Sequence, residues 1–329
     1  MEHWNLYHPS IPPFLLAAAH SPEMLRLRDV GMNCGCEYTS FPRFQGLAPY
    51  SRWDHSLGVG LIVWHFTRDA AQALAGLLHD NATPVFAHVV DFLRGDYLTQ
   101  ESTEDGTREI IARSTALRGV LQSLSLTVDD VCDYHRYPIA DNETPRLSAD
   151  RLEYTLGNCL NYGIRDAAAV RAFYADLTID TNEDGAPELA FRSPETAADF
   201  ARAALACSEI YVADADRYAM QTLAELLALA LARGVIEEET LCGTESAVIE
   251  RLISDSETGA AWRRFCALRV MERSETPGSA DWRQIFAKKR CIDPLAAGRG
   301  RVSALSSAFA RQLAQFQSKD LGYWIHGHA

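Results

Sequence analysis

Four side chains in this sequence are suited to holding a divalent metal ion: His55, the adjacent pair His79-Asp80, and Asp150. Imidazole nitrogen and carboxylate oxygen bind transition ions while leaving coordination positions for water. An ion so held acidifies water and neutralises charge developing on a phosphoryl group. The contexts make the set more specific than its residue types alone. His55 stands in RWDHSLGVG, the His79-Asp80 pair ends the apolar run LAGLLHD, and Asp150 lies in SADRLEY. Each ligand therefore sits at or near a helix end beside a packed face, where a rigid scaffold can hold it.

The elements that must position them read as mostly helical. Residues 56–66 are apolar almost all round, as in a buried helix. Asp69 opens a second helix over Ala70 to Leu78, which Asn81-Ala82-Thr83-Pro84 breaks. Helical spacing resumes over 85–94 and again over 108–124, with a polar loop over 99–107 between them. A loop spans Pro138 to Pro145, and Ser148 caps the helix that carries Asp150. Alternation around Glu183-Asp184-Gly185 predicts a hairpin over 176–192. Pro194 starts a long helical tract, 213–233 forms another helix stopped by Gly234, and an amphipathic helix lies near 303–317. No repeat or linker divides the chain. The expectation is one all-α domain with a small β-hairpin insertion, its metal-site core over about 20–175 and a helical extension over about 193–329.

Composition excludes several classes. The 329 residues carry a net charge of −13, which repels phosphate backbones and argues against a general nucleic-acid binder. There is no apolar run long enough for a membrane span and no basic, apolar start of a signal peptide, so a cytoplasmic protein is expected. Eight cysteines are scattered without a CxxC pair and read mostly as small buried hydrophobes.

In order and flanks, the set H…HD…D resembles the HD-domain metal-dependent phosphohydrolases. The segments RWDHSLGVG, LLHDNATPVFAH and DRLEY are similar, more narrowly, to the deoxynucleoside triphosphate triphosphohydrolase branch. Further similarity runs through RLRDVGMNCGCEYTSFP, the helix at 213–233 and KKRCIDP at 288–294. The resemblance implies the HD-type helical fold and a metal (Mn, Fe, Co, Ni or Zn, or else Mg) on His55, His79, Asp80 and Asp150. It implies catalytic roles for Asp80 and His88, and substrate contacts from Arg52, Arg151, Tyr154, Asn33 and Asn158. The implied substrate is a small phosphate compound, most simply a nucleotide, and the implied assembly is a homo-oligomer.

The departures point to alternatives. A family histidine is replaced by Thr83, and another, in an H-E pair, by Gln100 before Glu101 and Ser102. Glutamine cannot act as a general acid. A phosphomonoesterase of 5′-nucleotidase type, a phosphodiesterase, and a nucleotide-binding scaffold without turnover therefore stand beside the triphosphohydrolase. The remaining histidines read as structural: His65 lies mid-helix, and His326 and His328 belong to a mobile end. Asp180 to Gly185 mimics a calcium loop, but Phe191 occupies the position that needs a bidentate glutamate, and strands flank it. Lys288-Lys289-Arg290 is either a solvated patch or a phosphate contact.

Overall fold

A computed structural model describes residues 6–95, 106–278 and 281–329. Gln100, Glu101 and Ser102 lie outside the described residues, as do His3 and part of the expected 99–107 loop. The chain is mostly helical, as expected, but its β-structure exceeds one hairpin.

The buried helix α1 spans Arg52–Thr67. It begins four residues earlier than its apolar run, because Ser51 and Asp54 form a capping box that draws residues 52–55 into the first turn. That extension places His55 on the helix. Helix α2 spans Ala70–Leu78, as its pattern predicts, with the Asp69 carboxylate accepting from the backbone N–H groups of Ala71 and Gln72. The helix expected over 85–94 is shorter: α3 spans only Val89–Arg94. Phe86 and Ala87 adopt left-handed backbone conformations (φ 56° and 46°), so the turn after Pro84 cannot be helical. The run over 108–124 is broken at Ser114, which closes Thr107–Arg113 and caps Thr115–Ser123.

Helix α4, Ala149–Asn161, is capped by Ser148 through the Arg151 N–H, as its sequence signals. The long helices α5 (Pro194–Tyr211) and α6 (Asp214–Ala232) follow. Strands β1 (Leu177–Thr181) and β2 (Pro187–Phe191) pair antiparallel around Gly185. The hairpin is not a separate insertion, however. β2 also pairs in parallel with β4 (Leu295–Ala296), which pairs with β5 (Gly300–Arg301), giving a four-stranded sheet. Between these in sequence, β3 (Val270–Ser274) joins β6 (Trp324–His328) in an antiparallel ribbon. The chain end bearing His326 and His328 is therefore a paired strand and not a mobile tail. The tail helix near 303–317 divides into Val302–Leu305 and Ser307–Gln317 at Ser306.

Two apolar clusters hold these elements. One gathers α1, α2, α4 and α5 around Leu57, Leu61, Leu74 and Leu156; the other packs Phe86, Val89 and Phe92 against Leu223 and Leu227 of α6. Five of the eight cysteines are buried in this packing, Cys132 and Cys266 are half-buried, and Cys242 is exposed. Among the described residues no helix is long and apolar enough to cross a membrane.

Candidate metal centre

His55, Asp80 and Asp150 come from α1, the end of α2 and the first turn of α4. The fold brings their side chains and that of His79 to one locus. His55 Nε2 lies 3.1 Å from Asp150 Oδ1 and 3.9 Å from Asp80 Oδ2. His79 Nε2 lies 3.6 Å from Asp80 Oδ2 and 3.8 Å from Asp150 Oδ1. Both imidazoles and Asp80 are buried.

The other ring nitrogens are committed elsewhere, which fixes the tautomers. His79 Nδ1 meets the Gly76 carbonyl at 2.7 Å, and His55 Nδ1 meets Glu153 Oε2 at 2.6 Å. Each Nε2 is thereby left facing the carboxylates, the orientation that metal-ligating histidines use. Glu153 is only 1% exposed and also accepts from Tyr50 (2.5 Å) and Tyr7 (3.1 Å). Sequence reasoning quoted this residue within DRLEY but gave it no role. Its signal is the spacing: three residues after Asp150 it shares that helix face.

Two glycines let this network close. A Cβ at Gly58 would lie 2.6 Å from Glu153 Cγ, and one at Gly157 would lie 2.5 Å from the Tyr50 hydroxyl. Gly58 belongs to the SLGVG motif, so its absent side chain is space for the carboxylate behind His55.

The charges favour a cation. Three carboxylates (Asp80, Asp150, Glu153) surround the two imidazoles, Arg52 Nη1 donates to Asp80 at 2.9 Å, and Arg151 adds positive charge near Asp150. Burial raises the proton affinity of Asp80, but Arg52 and the imidazoles of His79 and His55 outweigh it and hold the carboxyl well below the usual range. Burial is likewise overcome at His55, where hydrogen bonds to Asp150 and Glu153 push the imidazole up to about 10. A locus that draws a proton onto imidazole so strongly has excess negative charge, and its nitrogen and oxygen donors suit a divalent transition ion.

Around the locus, Thr83 donates to Asp80 Oδ1 at 2.7 Å and so orients that carboxylate. Arg26 donates to the carbonyls of Asn81 and Thr83 and ties the turn after α2. His88 Nδ1 meets the buried Asp91 carboxylate at 2.9 Å, and its Nε2 faces Arg290 at 3.3 Å. Burial lowers His88 to about 4, with Arg290 and Arg52 adding to the effect against the Asp91 hydrogen bond. The basic run at 288–290 thus brings Arg290 beside His88, whereas Lys289 donates to the carbonyls of Gln317 and Lys319.

The expected substrate residues divide. Arg52 is 7% exposed and keeps a buried Nε without a partner among the described residues. Arg151 instead binds Asn142 and Asp141, which anchors the preceding loop. Asn158 donates to Tyr211 at 2.7 Å and leaves its Oδ1 buried without a partner among the described residues, while Tyr154 packs edge-on to Tyr211. Burial pushes the Tyr154 hydroxyl up to about 12 against the pull of Arg290 and Arg151. Asn33 accepts from Tyr162 at 2.8 Å. A separate cavity of about 620 Å³, lined by Arg28, Glu37, Tyr38, Tyr50 and Trp53, includes none of His55, His79, Asp80 and Asp150.

No family model matches the chain. It is similar to the uncharacterized protein YdhJ of Bacillus subtilis, 25% identical over 203 residues that make up 61% of each chain. It is also similar to the metal-dependent phosphohydrolase cns2 of Cordyceps militaris, 25% identical over 178 residues, which are 50% of this chain and 48% of that protein. The matches thus span between about half and three-fifths of these relatives. The likeness to cns2 supports kinship with the HD-type phosphohydrolases at the level of the superfamily and distinguishes no branch within it.

Proposed function

We propose that this protein is a metal-dependent phosphohydrolase acting on a nucleotide. The observation that carries the reading is the convergence of His55, His79, Asp80 and Asp150 on one locus beside the Arg52 guanidinium. The likeness to a protein named as a metal-dependent phosphohydrolase supports the same class. A divalent ion on those four ligands supplies Lewis acidity toward a phosphoryl oxygen and makes water a stronger acid.

The chain's own residues divide the remaining work. Arg52 holds Asp80 through Nη1 and offers Nε to a phosphate oxygen. Thr83 fixes the Asp80 carboxylate from its other oxygen. Asp91 holds His88 from behind, and Arg290 beside it extends the cationic flank for phosphate charge. With its pKa near 4, His88 enters as a neutral acceptor. Phosphate charge bound next to it raises its proton affinity, which suits it to hand a proton to the leaving oxygen. Asn158, Asn33 and Tyr154 are assigned to the sugar and base.

The flanking motifs favour a deoxynucleoside triphosphate as substrate, with tripolyphosphate leaving. One observation favours a second reading, a phosphomonoesterase: the Thr83 hydroxyl is engaged with Asp80, where the triphosphohydrolases place a histidine. Anion-exchange chromatography of products separates the two. Deoxy- and ribonucleoside mono- and triphosphates are incubated with Mn²⁺, Co²⁺, Ni²⁺ or Mg²⁺. Tripolyphosphate plus nucleoside supports the first reading, and inorganic phosphate plus nucleoside from a monophosphate supports the second. Turnover that survives in Asp80→Ala refutes both.

A further inference from the structure

Strand β6 alternates strictly. Ile325 is fully buried, and a Cβ at Gly327 would lie 2.6 Å from the Tyr218 ring, so this face packs on α6. The opposite face carries His326 and His328, whose side chains are 23% and 41% exposed. In the antiparallel register Glu272 of β3 lies directly across from His326, on that same outer face. One carboxylate serves both rings: Oε2 is 3.8 Å from His326 Nδ1, and Oε1 is 3.5 Å from His328 Nε2. The two rings lie 5.7 Å apart and inclined by 28°, and Trp282 stacks on His326 at 5.4 Å.

We infer that His326, His328 and Glu272 form a second, exposed site for a divalent transition ion that prefers imidazole, of the Zn²⁺, Ni²⁺ or Cu²⁺ class. Side chains two apart on a strand share a face, so the paired strand holds both rings within reach of one ion. The carboxylate distances exceed those of good hydrogen bonds, so the trio is not already satisfied as a bonded triad. Closing on one ion calls for χ rotation of the more exposed partners, His328 and Glu272, toward His326, which Trp282 holds in place. Two imidazoles with one carboxylate are a donor set for such ions and not for Ca²⁺ or Mg²⁺. None of these residues belongs to the buried centre, so the inference stands apart from the proposed reaction.

Ni²⁺ is the probe, because it quenches the fluorescence of a nearby indole and Trp282 reports on His326. Equilibrium dialysis of the full chain counts bound ions in parallel. The expected result is that His326→Ala/His328→Ala binds one Ni²⁺ fewer per chain and loses the Trp282-dependent quenching, which Trp282→Phe also removes. Asp80→Ala, which perturbs the buried centre, retains that quenching. Equal stoichiometry and equal quenching in the double variant overturn the site. Should the double variant melt at a lower temperature, the exposed single change His328→Asn decides: weaker Ni²⁺ binding supports the site, and unchanged binding overturns it.

Discussion

Replacing Glu153 by glutamine tests whether the buried carboxylate tunes the metal centre. The side chain keeps its volume, and an amide oxygen in the Oε2 position still accepts from His55 Nδ1 and Tyr50 while the NH2 group donates to the Tyr7 oxygen, so packing and most of the hydrogen bonding survive. What is lost is the charge 2.6 Å behind the imidazole. Partners of this kind raise ligand basicity, and their removal typically weakens metal binding about 10–100-fold. At about 1.4 kcal/mol per factor of ten, that is about 1.4–2.7 kcal/mol. The upper half of the range is expected here, because Glu153 is almost fully buried and its charge is little screened. Equilibrium dialysis with Co²⁺, read by mass spectrometry of the bound metal, measures the affinity. A melting curve of the metal-free variant checks that the fold is intact. A correctly folded Glu153→Gln that binds Co²⁺ within twofold of the parent would refute the argument that this carboxylate sets the strength of His55 as a ligand.

Other perturbations probe the same network. Gly58→Ala drives a methyl into Glu153 and is expected to destabilise the chain by about 1–3 kcal/mol in urea titrations, with a parallel loss of Co²⁺ affinity. Thr83→Val removes the donor to Asp80 at constant shape; losing a hydrogen bond to a charged group, worth about 1.5–3 kcal/mol, should lower turnover in the chromatographic product assay at least tenfold. Asp216 gives a pH signature. Burial raises its carboxyl from 3.8 to about 8, against Cys36 and Arg217, so the folded chain keeps a proton that the unfolded chain releases. Its contribution to stability is complete below pH 3.8 and is lost as pH rises to about 8. Asp216→Asn should flatten that decline in melting temperature, and an unchanged slope would count against it.

Much of the helical frame was legible because packing and capping act locally. Asp69 and Ser148 mark the starts of α2 and α4, and the apolar run of α1 announces its burial. The missed features are non-local. The 85–94 pattern is apolar enough for a helix, yet Phe86 N donates to Glu245 Oε1 and Val85 N to the Leu241 carbonyl, which pin a turn in its place. β4 and β5 are two residues each and carry no periodic signal; β2 offers β4 an edge, and β4 in turn offers one to β5. At the site, the convergence of His55, His79, Asp80, Asp150 and Arg52 on one locus could be read from the motif. Arg151 could not, since its guanidinium looks suited to phosphate until Asn142 and Asp141 are placed against it. Glu153 was hidden for the opposite reason. An acidic residue on a helix usually faces water, and here Gly58 makes room for the carboxylate while Gly157 makes room for its partner Tyr50.

For the proposed metal centre, the order in which its residues occur along the chain constrains when an ion can be loaded. His55, His79 and Asp80 fall within the first quarter of the sequence, but Asp150 comes 70 residues after Asp80, and Glu153 follows it. A chain emerging from the ribosome therefore presents an incomplete ligand set, with His55 lacking the carboxylate that fixes its tautomer, until α4 has docked against α1. Any ion caught early is held by fewer donors in an unlocked geometry and exchanges readily. Tight capture begins with tertiary assembly, so the choice among competing cations is left to the finished cage and not to the nascent chain.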